Sequence, residues 1–203
     1  MSALLSFLFI SLAWTKATWA ADYNLTYTVS MATKVSLKWG FNDPQGNITF
    51  QLTIGTTGWV GFGLSIHDDM VDSDIVIGGL GSSGNYFGDY YAKSNTMPTM
   101  DGQQNYHLLS MTENNGETTM TFRRLMDTKD SNDFLITDKV IYVIYAYGDT
   151  DEIKYHDNRR GQKQVNLLNY KESTTGSAAS RLSTSWTVNA GGVMLLLWIA
   201  MAV

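Results

Sequence analysis

The sequence predicts an all-β chain folded as an antiparallel sandwich, and three observations carry that expectation. From Val35 onward the apolar period is two, since Val35, Leu37, Trp39 and Phe41 alternate with polar or small residues and Ile48, Phe50, Leu52 and Ile54 repeat the pattern. That is the spacing of a strand with one buried face. Clusters of Gly, Asn and Asp then separate short apolar runs at regular intervals, as in a sandwich. No stretch of the central region keeps a helical period.

Taken in order, the first two strands flank Asp43-Pro44-Gln45-Gly46, whose residues suit a tight turn and make the pair a hairpin. Further strands are expected at 59–65, 75–80, 86–92, 106–111, 118–125 and 140–147. Asn114-Asn115-Gly116 joins two of them with a hairpin signature. Gly58, Gly61 and Gly63, interleaved with Trp59, Val60 and Phe62, thin one strand, which suits a bulge or a close approach of backbone.

The two ends read as processing signals. Residues 4–14 are nearly all apolar, too short to span a bilayer, and Ala17 and Ala20 fit a small-residue cleavage pattern, so 1–21 is expected to be a signal peptide. Residues 190–203 form a hydrophobic tail behind a Ser/Thr-rich spacer at 173–189. Small residues around Ser177, a spacer and an apolar terminus match a GPI attachment signal, with Ser177 the expected site. A short membrane-anchoring helix is the alternative. Either places the chain at the outer face of the plasma membrane, with one domain at 22–172.

The net charge is -5, and loss of Lys16 and Arg181 with the ends makes the mature domain more acidic still. That argues against nucleic acid as a partner. There is no cysteine, so stability rests on packing without the disulfides common in secreted domains. Sequons at Asn24 and Asn47 fit glycosylation along the secretory route.

The catalytic inventory is small. Three histidines, His67, His107 and His156, and no cysteine leave no nucleophile with an obvious base, and no G-x-S-x-G or H-E-x-x-H motif occurs. Asp68, Asp69, Asp72 and Asp74 crowd one short loop. Hard cations such as calcium take oxygen sets of this kind, although the spacing is not that of an EF-hand and a solvated acidic loop has the same composition. Asp74, leading into Ile75-Val76-Ile77, is the member the fold should hold. Met70 and His156 form another pair of interest, because a thioether and an imidazole can hold a haem iron from opposite faces. Taken singly, each is an ordinary packing or surface residue.

Several blocks together resemble the DOMON domain family. Gly58-Trp59-Val60-Gly61-Phe62-Gly63-Leu64-Ser65, then Met70 and Asp74-Ile75-Val76-Ile77-Gly78, are similar to the family's opening signature. Asp89-Tyr90-Tyr91-Ala92, Asp101, Gln103-Gln104-Asn105-Tyr106-His107, Phe122-Arg123-Arg124, Asp127-Thr128-Lys129-Asp130 and Asp133 continue it, and Tyr155-His156-Asp157-Asn158-Arg159-Arg160-Gly161 closes it. The likeness runs from about Val35 to Leu168 and is strongest to the N-terminal DOMON domain of dopamine β-hydroxylase-like (DBH-like) copper monooxygenases. It implies an immunoglobulin-like β-sandwich. In haem-binding members a Met after the Gly-Trp block and a His near the domain's end hold the iron, which implies haem b on Met70 and His156 here.

Two departures matter. The copper modules that follow in the monooxygenases are not in this sequence, and three histidines cannot furnish paired copper centres, so hydroxylation by this chain alone is not expected. Lys129 stands where related monooxygenases place a cysteine, which implies loss of a disulfide.

The leading expectation is therefore a surface-tethered haem b domain that relays electrons to or from an oxidoreductase. A haem-free module is the alternative, with Trp59, Tyr86, Tyr90, Tyr91 and Tyr106 lining a pocket for a sugar or an amine, although large aromatics also fill cores. A third reading is a non-catalytic auxiliary of a DBH-like monooxygenase.

Overall fold

The computed structural model describes residues 23–41 and 45–171. It is an antiparallel β-sandwich, and among the described residues there is no helix, hence none long and apolar enough to cross a membrane. The strands are β1 (Tyr27–Ala32), β2 (Val35–Gly40), β3 (Asn47–Ile54), β4 (Val60–Ser65), β5 (Ser73–Gly81), β6 (Gly84–Ala92), β7 (Thr99–Met100), β8 (His107–Asn114), β9 (Glu117–Leu125), β10 (Val140–Tyr147) and β11 (Arg160–Asn166). One sheet has the order β1-β2-β3-β9-β8 and the other β11-β10-β4-β5-β6-β7.

Side-chain alternation builds the core. Leu37 and Trp39 of β2, Phe50 and Leu52 of β3, and Met120 and Phe122 of β9 face Val60, Phe62 and Leu64 of β4, Val76 of β5 and Val143 of β10. Phe50 and Phe122 of one sheet meet Phe62 of the other, with ring centroids 4.8 and 5.1 Å apart. Trp39 is fully buried, and its indole N–H donates to the Leu167 carbonyl at 2.9 Å, so the chain after β11 closes one end of the core.

The predicted hairpins form: β2 pairs antiparallel with β3, and β8 with β9. Asn115 and Gly116 have φ of 52° and 78°, the left-handed pair that a type I′ turn requires. Three strands were not expected. β1 and β11 are edge strands with a half-exposed or polar face, which weakens the apolar alternation, and β7 has only two residues.

The segments read as a signal peptide (1–21), a spacer (173–189) and a hydrophobic tail (190–203), with Ser177, lie outside the described residues, as do Asp43 and Pro44 of the first turn. The two sequons differ. Asn24 is exposed, but Asn47 opens β3 and is only 7% exposed. A glycan on Asn47 would need its amide in solvent, so the glycosylation expected there does not fit the folded domain.

Candidate functional site

The outer face of the β10-β4-β5 sheet, turned away from the main core, carries a cleft. The alternation that sends Val60, Phe62 and Leu64 inward turns Gly61 and Gly63 outward, where no side chain rises from β4. Ile75 and Ile77 of β5 and Ile144 and Ala146 of β10 supply apolar walls beside these glycines, and Trp59 packs with them. The cleft has a volume of about 790 Å³, within the range of cofactor and small-molecule sites.

Loops from opposite ends of the sheet fold over this floor. β4 runs antiparallel to both neighbours, with Val60 opposite Tyr147 and Leu64 opposite Asp74. The β4–β5 loop therefore leaves one end of the sheet and the β10–β11 loop the other. The first brings Met70 and the second His156, and both line the same cleft.

Local hydrogen bonds explain each placement. In the β4–β5 loop the Asp69 carboxylate accepts from Val71 N at 3.1 Å, Asp72 N donates to the Ala92 carbonyl at 2.7 Å, and Ser73 N donates to the Met70 carbonyl at 3.2 Å. Asp72 takes a left-handed φ of 56° to complete the turn. Met70 is left packed against the cluster of Trp59, Ile75 and Ile77.

The β10–β11 loop is tied to the start of β4. Trp59 N donates to Thr150 O at 3.0 Å, Gly148 N to Trp59 O at 2.9 Å, and the Thr56 hydroxyl to Gly148 O at 2.7 Å. Gly148 has no substitute here, because a Cβ on it would lie 2.2 Å from the Trp59 indole nitrogen. Gly58 serves the same close approach from the other side, its Cβ position falling 2.5 Å from Gly148 O. Arg159 bridges Asp149 at 3.2 Å and Asp157 at 3.4 Å, and its N–H donates to the His156 carbonyl at 2.9 Å. The His156 Nδ1 lies 3.1 Å from the Asp157 carbonyl. A carbonyl only accepts, so this bond puts a proton on Nδ1, and in the neutral ring that leaves the Nε2 lone pair for a ligand bond.

The four loop carboxylates expected as a calcium set do not converge. Asp68 and Asp69 line the cleft, and Asp72 accepts from the Tyr91 hydroxyl at 3.0 Å. Asp74 points to the opposite side of β5, where it is 1% exposed and ion-paired with the fully buried Arg124. One strand residue cannot share a ligand sphere with a loop on the other face. Burial outweighs the Arg124 charge and pushes the Asp74 carboxyl up to about 7. Arg124 makes four bonds: Nε donates to Leu125 O at 2.9 Å, one terminal nitrogen to Phe134 O at 2.7 Å and the other to Asp74 and to the Tyr106 hydroxyl.

The aromatic set also divides. Trp59 lines the cleft, whereas Tyr106 is buried in the main core, 5.1 Å under the Arg124 guanidinium. Tyr86 donates to the Asp151 carbonyl at 2.9 Å beside a separate, smaller pocket. Tyr90 packs on the Trp59 cluster, and Tyr91 faces Asp72. The expected pocket of five aromatics is thus not formed. Among the cleft residues, Lys154 and Arg160 at the rim and the 95–98 loop were not singled out from the sequence, because only the folded sheet brings them beside Met70 and His156.

Fold and site together define a β-sandwich module with a ligand cleft on one outer sheet face. The family model for the DOMON domain matches residues 31–148, and this chain belongs to the DOMON domain family. Human DBH-like monooxygenase protein 1 is 39% identical over 144 residues, covering 69% of this chain and 24% of that protein. Dopamine beta-hydroxylase of Bos taurus is 30% identical over 114 residues, covering 56% and 19%. The chain thus spans about a quarter of the length of the first of these relatives. Among solved structures, the cytochrome b domain of pyranose dehydrogenase from Coprinopsis cinerea aligns with a TM-score of 0.52 at 14% identity, covering 66% of this chain and 76% of that one. The cytochrome domain of Myriococcum thermophilum cellobiose dehydrogenase aligns with a TM-score of 0.52 at 13% identity, covering 68% and 79%. At such identities the likeness is one of fold.

The cleft residues fit a b-type haem. A thioether and an imidazole with a free Nε2 supply the donor set. Gly61 and Gly63 let Trp59 and Ile144 lie close against the sheet as apolar lining of the cleft, and Lys154 and Arg160 offer cations to acidic substituents.

Proposed function

We propose that this chain is a cell-surface, membrane-tethered electron-relay domain that binds haem b in the cleft on the outer face of the β10-β4-β5 sheet, with Met70 and His156 as the residues that would ligate its iron. One observation carries the reading: two side chains 86 positions apart, delivered by loops from opposite ends of the sheet, line one cleft. Haem bound there supplies one-electron chemistry, and Met/His ligation raises its potential. The chain's own residues bind and orient. His156 is held by the Asp157 carbonyl and the Arg159 clasp, Met70 by the Trp59 cluster, and Ile75, Ile77, Ile144 and Ala146 keep water from the macrocycle.

Secretion, tethering through the 190–203 tail and exchange of electrons with an oxidoreductase belong to the same proposal, supported by the sequence of the two ends and by the DBH-like relatives. The experiment is haem titration of the full chain after expression through the secretory pathway. One haem per chain, with uptake lost in Met70→Ala and His156→Ala while both variants stay folded, is the expected result. Failure of the parent chain to take up haem, or unchanged uptake in both variants, rejects it.

A second reading draws on Asp68 and Asp69, which line the same cleft as Trp59. Carboxylates and an aromatic face within one cleft suit an organic cation, so a haem-free domain would bind an arylalkylamine. Calorimetric titration with phenethylamine, unaffected by Met70→Ala and His156→Ala but abolished by Asp68→Asn with Asp69→Asn, would favour this reading over the first.

A further inference from the structure

Asp89 lies on β6, 1% exposed, and the 101–105 segment is stitched to it. Asp101 N and the Gln104 side-chain amide donate to the Asp89 carbonyl at 2.9 and 3.0 Å, and Asp89 N donates to Gln104 Oε1 at 2.8 Å. Asn105 N donates to Asp89 Oδ2 at 2.9 Å. Asp89 also shares its surroundings with two other carboxylates. Oxygens of Asp74 on β5, of Asp89 and of Asp133 in the β9–β10 connection lie within 4.8 Å of one another.

The space around these groups is rich in acceptors and short of donors. Among the described residues, Asp74 Oδ1, Asp89 Oδ1, Asp101 Oδ2, Asn105 Oδ1 and Asp133 Oδ2 are buried oxygens without a hydrogen-bond partner. Buried acceptors left unmatched are costly, and what they lack is a hydrogen atom. An ionised carboxylate only accepts, whereas a protonated one also donates. A metal cation is a poor substitute between Asp74, Asp89 and Asp133, because the Arg124 guanidinium already lies against Asp74.

The charges that face Asp89 make the same demand. Asp74 approaches from β5, Asp133 from the β9–β10 connection and Asp101 from the segment after β7, all of one sign. Burial, together with these charges, pushes the Asp89 carboxyl up to about 7. Arg124 of β9 and Tyr106 attend Asp74. Two buried carboxyls this close titrate as a pair, and the shared proton favours Asp89. Asp74 Oδ2 takes both the Arg124 guanidinium and Phe134 N, which suit an ionised group, while Asp89 Oδ2 takes the single N–H of Asn105.

We propose that Asp89 carries a proton in the folded domain and that this proton is a pH-sensitive clasp, holding the 101–105 segment and the β9–β10 connection against β6. Without it a further negative charge faces Asp101 and Asp133 inside the cluster, and repulsion loosens both segments. The fold keeps the proton up to about pH 7, whereas the unfolded chain releases it near the ordinary 3.8. Stability therefore falls as pH rises between those values and levels off above them. The clasp shares no residue with the cleft, so it stands or falls separately from the haem reading.

The test is thermal unfolding of the full chain, without added haem and in EDTA, between about pH 5 and about pH 8. Beside it runs Asp89→Asn, whose amide supplies the donor that the protonated acid supplies. The parent Tm is expected to fall by about 5 °C or more over that range. Asp89→Asn is expected to fold, to lose about half of that fall or more, and to match or exceed the parent Tm at the alkaline end. A buried carboxyl band in the infrared spectrum of the parent at about pH 6, absent from Asp89→Asn, reads the proton directly. A parent Tm that does not fall, an equal fall in the variant, an Asp89→Asn chain that does not fold, or the same carboxyl band in both chains overturns the proposal.

Discussion

The two faces of the six-stranded sheet are made by the same strands and serve opposite ends. On the inner face β4 presents Val60, Phe62 and Leu64, each at most 1% exposed, to a core closed by Phe50 and Phe122. On the outer face the alternate positions of that strand are Gly61 and Gly63, over which Trp59 and Ile144 fold to line a cleft. A strand of large side chains on both faces would be more stable and would have no site. The difference teaches that the packed core lies on one side of β4 and the proposed binding cleft on the other, so substitutions on the two faces should separate the two properties.

The largest expected loss comes from the inner side of β5 and β9. Arg124→Ala leaves Asp74 buried without its ion partner and should cost about 3–5 kcal/mol in urea denaturation. Replacing both, Asp74→Leu with Arg124→Met, should recover only part of that, because the buried charge is gone while the Leu125 and Phe134 backbone groups the pair satisfied stay unmatched. Phe62→Ala, which borders the cleft but turns its ring inward, is expected to cost about 3–4 kcal/mol through the cavity it opens among Phe50 and Phe122. Trp39→Phe removes the donor to Leu167 O and should cost about 2 kcal/mol by the same measurement. The smallest change in stability is predicted for Gly61→Leu. The nearest atom to its Cβ position is Trp59 Cζ3 at 3.4 Å, so the fold tolerates the side chain within about 1 kcal/mol while haem uptake falls at least tenfold. If Gly61→Leu unfolds the domain, or Phe62→Ala spares stability and abolishes uptake, the division between the faces is wrong.

Legibility in the sequence follows the range of the interactions involved. β2, β3 and β9 show a two-residue period because one face of each is the more buried, β4 shows it as apolar residues alternating with glycine although both its faces are buried, and the Asn115-Gly116 turn is written in local backbone preferences. β11, Arg-Gly-Gln-Lys-Gln-Val-Asn, escapes because its pairing with β10 uses backbone groups and asks almost nothing of its side chains. Met70 and His156 could be named through family resemblance, but their convergence depends on β4 running antiparallel to both β5 and β10. The Asp68, Asp69, Asp72 and Asp74 group was misleading for the complementary reason. These residues are neighbours in sequence, yet the chain enters β5 at Ser73 and alternation turns Asp74 to the other side. Asp74, Asp89 and Asp133 are far apart in sequence and meet only through the pairing of β5 with β6 and the return of the chain after β9.

Optical and electron paramagnetic resonance spectra of the ferric, haem-reconstituted chain test the central claim most directly. Two protein ligands closing on the iron from opposite ends of the sheet predict a six-coordinate, low-spin centre that turns high-spin when Met70 is replaced by Ala. A parent chain whose ferric iron is high-spin, or a low-spin signal that survives both Met70→Ala and His156→Ala, would contradict it.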